Sequence, residues 1–477
     1  MKIKSIYYYS LLLSVAIGIM PGCKKMIEVD PPINTVSDKE AFKNNANAIA
    51  VLNGIYISMS RDLVSFYCIA DLSADELTLS NTTDPSLLTI YTNAMLSAQN
   101  YPMWTYCYDN IFRLNSAIEG INSSSGITDG VKKQLLGEAL FTRSFLYFYL
   151  INLYGDIPYV TSTDYKVNRS ISKTSVKDVY HTITEDLKTA KSLLSEKFVG
   201  NDAVSETGER VRPGKWAAAA LLARIYLYTE DWNGAKKEAD EIIAQTGLFG
   251  LPADLNAVFL KNSEEAIWQL APSNIADGYQ RTPESLFFYL IAPPSSETPV
   301  TVSNSLYQSF EPDDQRKVAW VGTLTDVNST PAIDYHFVGK YKSRNGNEGK
   351  EYSMVLRLAE VYLIRSEARA KLGTINGANG ALSDLNALRV RAGLTPIENS
   401  SGNEIEGRIL QARKVELFSE WAHRWLDMKR THTVDAIMTA YAPSKGSVWK
   451  STDQLYPIPL KDIQNNPKLN PQNPGYE

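Results

Sequence analysis

The segment 213–247 leaves this chain little choice of local structure. Trp216, Ala219, Ala223 and Tyr226 recur at helical spacing and mark one face. The polar stretch Thr229-Glu230-Asp231-Trp232-Asn233-Gly234 follows as a turn, and Ala235, Ala239 and Ile242 mark the face of a second helix. Small residues at 223 and 235 let two antiparallel helices approach closely, so the segment predicts a tight helical hairpin.

A similar unit spans 354–391, with Ala368 and Ala381 in corresponding places and Leu385 and Leu388 beyond. The small residues lie 12 apart in the first unit and 13 apart in the second, which is the packing logic of tetratricopeptide hairpins. No fixed period joins the units, so the array is expected to be irregular. Phe42 to Met59, Met103 to Ile121 and Val131 to Leu153 also repeat apolar residues at helical spacing, the last stopping at Gly155-Asp156-Ile157-Pro158. Two regions differ. Residues 61–100 look loop-like, and 248–350 carries prolines at 252, 272, 283, 293, 294, 299, 312 and 331 with short apolar runs such as Ala266 to Leu270. The expected fold class is mainly α: irregular tetratricopeptide-like helical hairpins with loop-rich insertions and a few short strands. A single compact core would be unusual for 477 residues, which favours either separate domains or an extended architecture such as a solenoid.

The N-terminus bears on location. Lys2 and Lys4 precede an apolar stretch from about Tyr7 to Met20, a secretory-signal pattern too short for a comfortable membrane span. Met20-Pro21-Gly22-Cys23 resembles a bacterial lipobox, with Met20 and Pro21 in place of its commoner residues. By that resemblance residues 1–22 are a lipoprotein signal peptide, Cys23 is acylated, and 23–40 form an extended tether to a membrane the protein does not span. One domain is expected over 41–477, with hairpins near 131–247 and 354–431 and ligand-binding insertions near 61–100 and 248–350. Cys68 and Cys107 are then left either bonded to each other or buried as free thiols. With 48 basic against 53 acidic side chains and no long basic run, nucleic acid is excluded as a partner.

Catalytic signatures do not emerge. Arg413, Glu416, Glu420, Arg424 and Asp427 fall at helical steps within 404–431. Two carboxylates at such spacing would interest a surface glycoside hydrolase, yet each has an arginine within a turn, which favours ionisation over a raised pKa. The row reads as an ion ladder tying one helix to its neighbours. His181, His336, His423 and His432 form no metal-ligand spacing, and no nucleophile elbow, phosphate loop or dinucleotide fingerprint is present. A non-enzyme with no cofactor and no metal is expected.

Tyrosine is in excess, at 27. Tyr147, Tyr154, Tyr226 and Tyr362 fall on helices as core candidates, whereas Tyr67, Tyr91, Tyr279, Tyr289, Tyr307, Trp320 and Tyr335 fall in the loop-rich regions. A ring offers a flat apolar face that can stack on the C–H face of a sugar or on a peptide side chain, and tyrosine keeps a polar tip.

Motifs spread along the chain resemble those of the SusD/RagB family of outer-membrane lipoproteins. The segment 138–161, EALFTRSFLYFYLINLYGDIPYVT, is similar to one family signature; so are 213–243 and 356–394. VELFSEWAHRWLDMKRTH at 415–432 matches with Ala422 where glycine is common, and LYPIPLKDIQNNPKLNPQNPGY resembles the family's closing segment. The resemblance implies an irregular tetratricopeptide-type superhelix at the cell surface. It would capture oligosaccharides, or in some members peptides, for a SusC-like TonB-dependent transporter. Asp75 resembles the family's acidic position near the glycan site, and Tyr91, Tyr279, Tyr289 and Trp320 are the aromatic candidates beside it. Trp104 falls at a helix start typical of the scaffold and is set aside.

Overall fold

The computed structural model describes residues 38–80, 84–99, 101–273, 280–344 and 349–476. Cys23 with its signal and Tyr279 lie outside the described residues. Asn44 caps helix α1 (Asn45–Ser73) by accepting the Asn47 amide at 2.9 Å. At 29 residues α1 runs about 44 Å and includes 61–73, where a loop was expected; Tyr67 therefore lies within a helix. Ser58, Ser60, Arg61 and Asp62 interrupt the apolar stripe, but Ser60 is buried and spends its hydroxyl on the Ala271 carbonyl at 2.7 Å. Lys445 Nζ caps the far end, donating to the carbonyls of Leu72 (2.7 Å) and Ser73 (3.0 Å) that the helix leaves unpaired.

Strand β1 (Leu77–Leu79) and helix α2 (Pro85–Tyr91) follow, then α3 (Pro102–Ser123) and α4 (Asp129–Tyr154), which pack side by side. From Glu138 to Ile151 every residue of α4 is buried, the signature of a helix enclosed on all sides. It stops at Gly155, whose φ of 73° suits a residue without Cβ. β2 (Ile157–Pro158) pairs with β3 (Lys173–Thr174), and the chain between them makes an outward excursion carrying the single turn α5 (Tyr165–Asn168).

After α6 (Val176–Leu193), the anticipated hairpin forms as α7 (Lys215–Tyr228) and α8 (Trp232–Ile243). Asp231 caps α8 through the Gly234 amide at 2.9 Å. Then come β4 (Ala266–Leu270), α9 (Pro283–Phe288), β5 (Val300–Val302), α10 (Asn304–Tyr307), α11 (Gln315–Trp320), β6 (Val321–Asp326), β7 (Ile333–Val338) and β8 (Ser353–Arg357). The chain closes with α12 (Leu358–Lys371), α13 (Ala381–Arg391), α14 (Gly402–Glu416), α15 (His423–Arg430), α16 (Val434–Tyr441) and α17 (Leu460–Asn465). Ala223 and Ala235 share one buried cluster with Ile364 and Ala368, so the small residues also let the two hairpin units dock on each other. Ala381 packs with Ala359, Leu363 and Leu385 in a second cluster. The result is mainly helical, with antiparallel strand pairs stitching distant segments: β1 with β5 (Leu77 opposite Val302) and β4 with β8 (Leu270 opposite Ser353). Among the described residues, no helix is long and apolar enough to cross a membrane.

A further expectation needs correction. Residues 404–431 are two helices, not one. Ser419, Trp421 and Ala422 take left-handed φ values of 51°, 47° and 61°, turning the chain between α14 and α15. The ionisable row therefore shares no single helical face, and its members instead grip separate neighbours. Glu416 receives Arg357 at 2.7 Å, Arg316 at 3.0 Å and Arg391; Glu420 receives Arg357 at 2.7 Å and Lys340 at 2.5 Å; Arg413 pairs with Asp427 at 2.6 Å. Glu265 and Asp314 complete the cluster on Arg357 and Arg316. The cations Arg316, Lys340, Arg357 and Arg391 balance the carboxylates Glu265, Asp314, Glu416 and Glu420, which is what a buried ionic cluster requires. Burial alone would raise the Glu416 and Glu420 carboxyls, but the surrounding cations hold both below the usual range. Enclosed and ionised, neither can serve as a general acid.

Candidate functional site

The loop-rich insertion builds its outer surface from the β6–β7 hairpin. The register sets Thr323 opposite His336, Thr325 opposite Asp334, Gly322 opposite Phe337 and Leu324 opposite Tyr335. Side chains alternate across the pleat, so the ribbon has one polar and one aromatic face.

On the polar face, Thr323 Oγ1 lies 2.9 Å from His336 Nδ1, and Thr325 Oγ1 donates to Asp334 Oδ1 at 2.6 Å. The half-buried Tyr307 ring stacks on the His336 imidazole, centroids 3.7 Å apart and planes 5° apart, and Lys317 Nζ sits 3.7 Å from the centre of the Tyr307 ring. Partial burial pulls His336 below the usual imidazole range, with Lys317 adding to the effect against Asp334. On the aromatic face the Phe337 ring lies over Gly322, where a Cβ would come within 2.2 Å of its Cζ. Tyr289 meets Phe337 edge-on at 4.8 Å, and the half-buried Tyr335 and exposed Ile333 continue the face.

Beneath this surface lies the anchor. Asp75, 3% exposed, accepts from Ser305 Oγ at 2.9 Å, Lys414 Nζ at 2.9 Å, and Arg424 through Nε at 2.7 Å and Nη2 at 3.0 Å. Its own carbonyl takes the Ser303 hydroxyl at 2.6 Å. Ser303 and Ser305 begin the turn α10 that ends in Tyr307, so Asp75 sets where that ring stands. Burial by itself would raise the Asp75 carboxyl; the hydrogen bonds and charges of Arg424 and Lys414 outweigh it and hold the group well below the usual carboxylate range. The neighbouring Glu76 goes the other way. Burial and the Asp75 charge push it up to about 8, leaving it mostly protonated at neutral pH.

The sequence candidates thus separate into two layers. Tyr289 stands at the surface with the hairpin. Trp320, 1% exposed, points inward instead: its Nε1 donates to the Leu255 carbonyl at 3.0 Å, Phe259 packs edge-on at 5.6 Å, and Lys340 lies 5.1 Å from its ring. A sugar cannot stack on it without opening the core, which corrects the expectation of a ligand platform there. Asp75 and Tyr91 are corrected likewise. Asp75 has no free acceptor facing solvent, and Tyr91 is buried beside Lys445, 4.9 Å from its ring, with burial pushing its hydroxyl up to about 12. Cys68 and Cys107 are free and buried. Trp104 is core, packed against Tyr108 and Tyr154. Sequence reasoning did not select Thr323, Thr325, Lys317 or His336. Alternating threonines in 321–326 were the available signal, and they became informative only once Tyr307 was seen to stack across the ribbon. Among the described residues, no group of three or more His, Cys, Asp or Glu is placed to hold a metal ion.

Comparison with known proteins agrees with this architecture. Residues 33–227 match a family model described as "Starch-binding associating with outer membrane", and residues 301–476 match one described as "SusD family". The chain is 27% identical to SusD-like protein P2 of Formosa agariphila, over 98% of this chain and 99% of the relative. Its fold is similar to that of a laminarin-binding SusD-like protein (TM-score 0.75, 21% identity, covering 91% of this chain and 100% of that one). It is also similar to the surface glycan-binding protein A of Bacteroides thetaiotaomicron, solved in complex with laminarihexaose (TM-score 0.73, 18% identity, covering 90% and 100%). The chain belongs to the SusD/RagB family.

Proposed function

We propose that this protein captures neutral oligosaccharides at the outer face of the outer membrane and passes them to a SusC-like TonB-dependent transporter. Acylated Cys23 would tether it there. The observation that carries the reading is the hairpin surface. The His336 imidazole, backed by the stacked Tyr307 ring, and the half-buried Tyr289 ring, braced edge-on by the buried Phe337, offer flat apolar faces for sugar C–H faces, beside threonine and aspartate oxygens that can exchange hydrogen bonds with hydroxyls. A neutral imidazole suits that role, because stacking then carries no charge to desolvate. Closure over the transporter would trap the bound chain.

Titrating the soluble form, residues 24–477, with laminarin and starch oligosaccharides tests the reading. Saturable binding that falls at least tenfold in Tyr307→Ala and Tyr289→Ala supports it. Binding of a peptide mixture and no glycan would overturn it. Uptake lost on deleting the transporter, with capture at the cell surface retained, tests the hand-over.

A further inference from the structure

A second concave surface lies outside the hairpin. A cleft of about 590 Å³ opens between the start of α3, the β2–β3 excursion and α17. Its floor is rigid. Trp104, 4% exposed, directs its indole N–H to the Asp462 carboxyl and packs on Tyr108 at 4.8 Å, and the Tyr108 hydroxyl donates to the Pro158 carbonyl at 2.8 Å. The walls are tied together: the Asn466 amide donates to the Ile171 carbonyl at 2.8 Å, and Asn168 donates to the Ser162 carbonyl at 2.7 Å.

The rim is different. Tyr165 is 73% exposed on the single turn α5 and has no ring partner among the described residues. Asp109, Arg169 and Asn465 line the same cleft, are exposed, and make no side-chain hydrogen bond or ion pair among the described residues. Folding the chain therefore leaves one bare aromatic face and a set of unengaged donors and acceptors converging on a pre-formed hollow. Its volume lies in the range of small-molecule clefts, about 300–1,000 Å³. The charges restrict the occupant: Arg169 is opposed by Asp109 and Asp462, so the cleft has no excess positive charge to draw an anionic group. Carboxylate, amide and guanidinium groups beside a free ring match the alternating hydroxyls and C–H faces of a neutral hexose.

We propose that this cleft is a second carbohydrate-binding site that takes neutral hexose units of a polysaccharide, with Tyr165 as the stacking ring and Asp109, Arg169 and Asn465 as hydroxyl partners. The ligand class rests on the reading given under Proposed function, while the site itself is separate. Two weak sites on one chain raise retention of a long polymer well beyond either alone, by effective concentration.

The test is affinity electrophoresis of the full mature chain in gels containing laminarin or starch. It compares wild type, Tyr165→Ala, Tyr165→Phe, Tyr289→Ala/Tyr307→Ala, and the triple alanine variant. Tyr165 is exposed, so its replacement leaves folding intact. The expected result is polymer affinity at least about tenfold weaker in Tyr165→Ala, little changed in Tyr165→Phe, and residual retention of the double variant abolished in the triple one. Equal retention of wild type and Tyr165→Ala, and of double and triple variants, overturns the second site while leaving the hairpin reading intact. Full retention of the double variant combined with loss in Tyr165→Ala overturns the hairpin and keeps the cleft. A wild type that binds neither polymer overturns both.

Discussion

Asp75→Asn removes one charge while keeping the shape of the side chain, and its consequences can be worked out from the contacts. The carboxylate compensates two cations at once, Lys414 and Arg424, whose side chains are 8% and 13% exposed. Removing one partner of a buried ion pair costs about 3–5 kcal/mol, because the remaining charge stays buried without compensation. The slight exposure of both cations places this case near about 3 kcal/mol. Unfolding entropy of about 2.1 cal/mol/K per residue over about 440 residues gives about 0.9 kcal/mol/K, so Tm should drop by about 3 °C at pH 7. The sign of the pH dependence follows from the depressed folded-state pKa. The stabilisation is complete above the unfolded value of about 3.9 and is lost progressively as pH falls toward the folded one, so the gap between the two melting curves should narrow steadily below about pH 4. Thermal melts followed by circular dichroism at pH 7 and across the acid range decide it. A Tm within 1 °C of wild type at pH 7, or a gap that persists undiminished at low pH, would refute the account of Asp75 as an ionised anchor.

Other outcomes follow from the same geometry. Trp320→Phe should lower stability by about 1–3 kcal/mol, since the Leu255 carbonyl loses its donor, yet leave the glycan Kd of the folded protein within twofold of wild type. A tenfold affinity loss without destabilisation would put Trp320 back in the binding surface. Gly322→Ala drives a methyl into the Phe337 ring and should weaken glycan binding at least fivefold by displacing Phe337 and Tyr289, measured by calorimetry against an unchanged far-ultraviolet spectrum. In the form from residue 24 onward, thiol titration should find no reactive cysteine in the native protein and both Cys68 and Cys107 in denaturant. A count of zero in denaturant would mean they are bonded.

The helical body was legible because its signals are local. Ala223 and Ala235 flank a polar turn, and Gly155 with Pro158 ends α4 where the periodicity stops. Two features were hidden, each for its own reason. Residues 61–73 lack a clean stripe because polar side chains interrupt the apolar pattern there, and buried Ser60 just before them finds its partner, the Ala271 carbonyl, only in the fold. The turn after Glu416 is invisible because its positive-φ positions carry serine, tryptophan and alanine in place of glycine, while the charge spacing runs on undisturbed. The candidate site was half legible. Nothing near Asp75 announces partners that lie 339 and 349 residues away. Proline-rich sequence around Trp320 looks the same whether the ring faces water or an ionic core. The surface role of Tyr289 and Tyr307 depended on which loop ended outermost, and no local pattern encodes that.

The pairing of β1 with β5 carries a consequence for assembly. Leu77 meets Val302, and Asp75 reaches Lys414 and Arg424, so the turn bearing Tyr307 is fixed by segments from both ends of the chain. Closing such long loops belongs to the slow, late part of folding. A nascent or truncated chain would have its helical hairpins before it has a working surface, and no excised insertion would retain one. Retention on a glycan column would thus select molecules whose N- and C-terminal halves have already found each other, making ligand capture a report on completed synthesis.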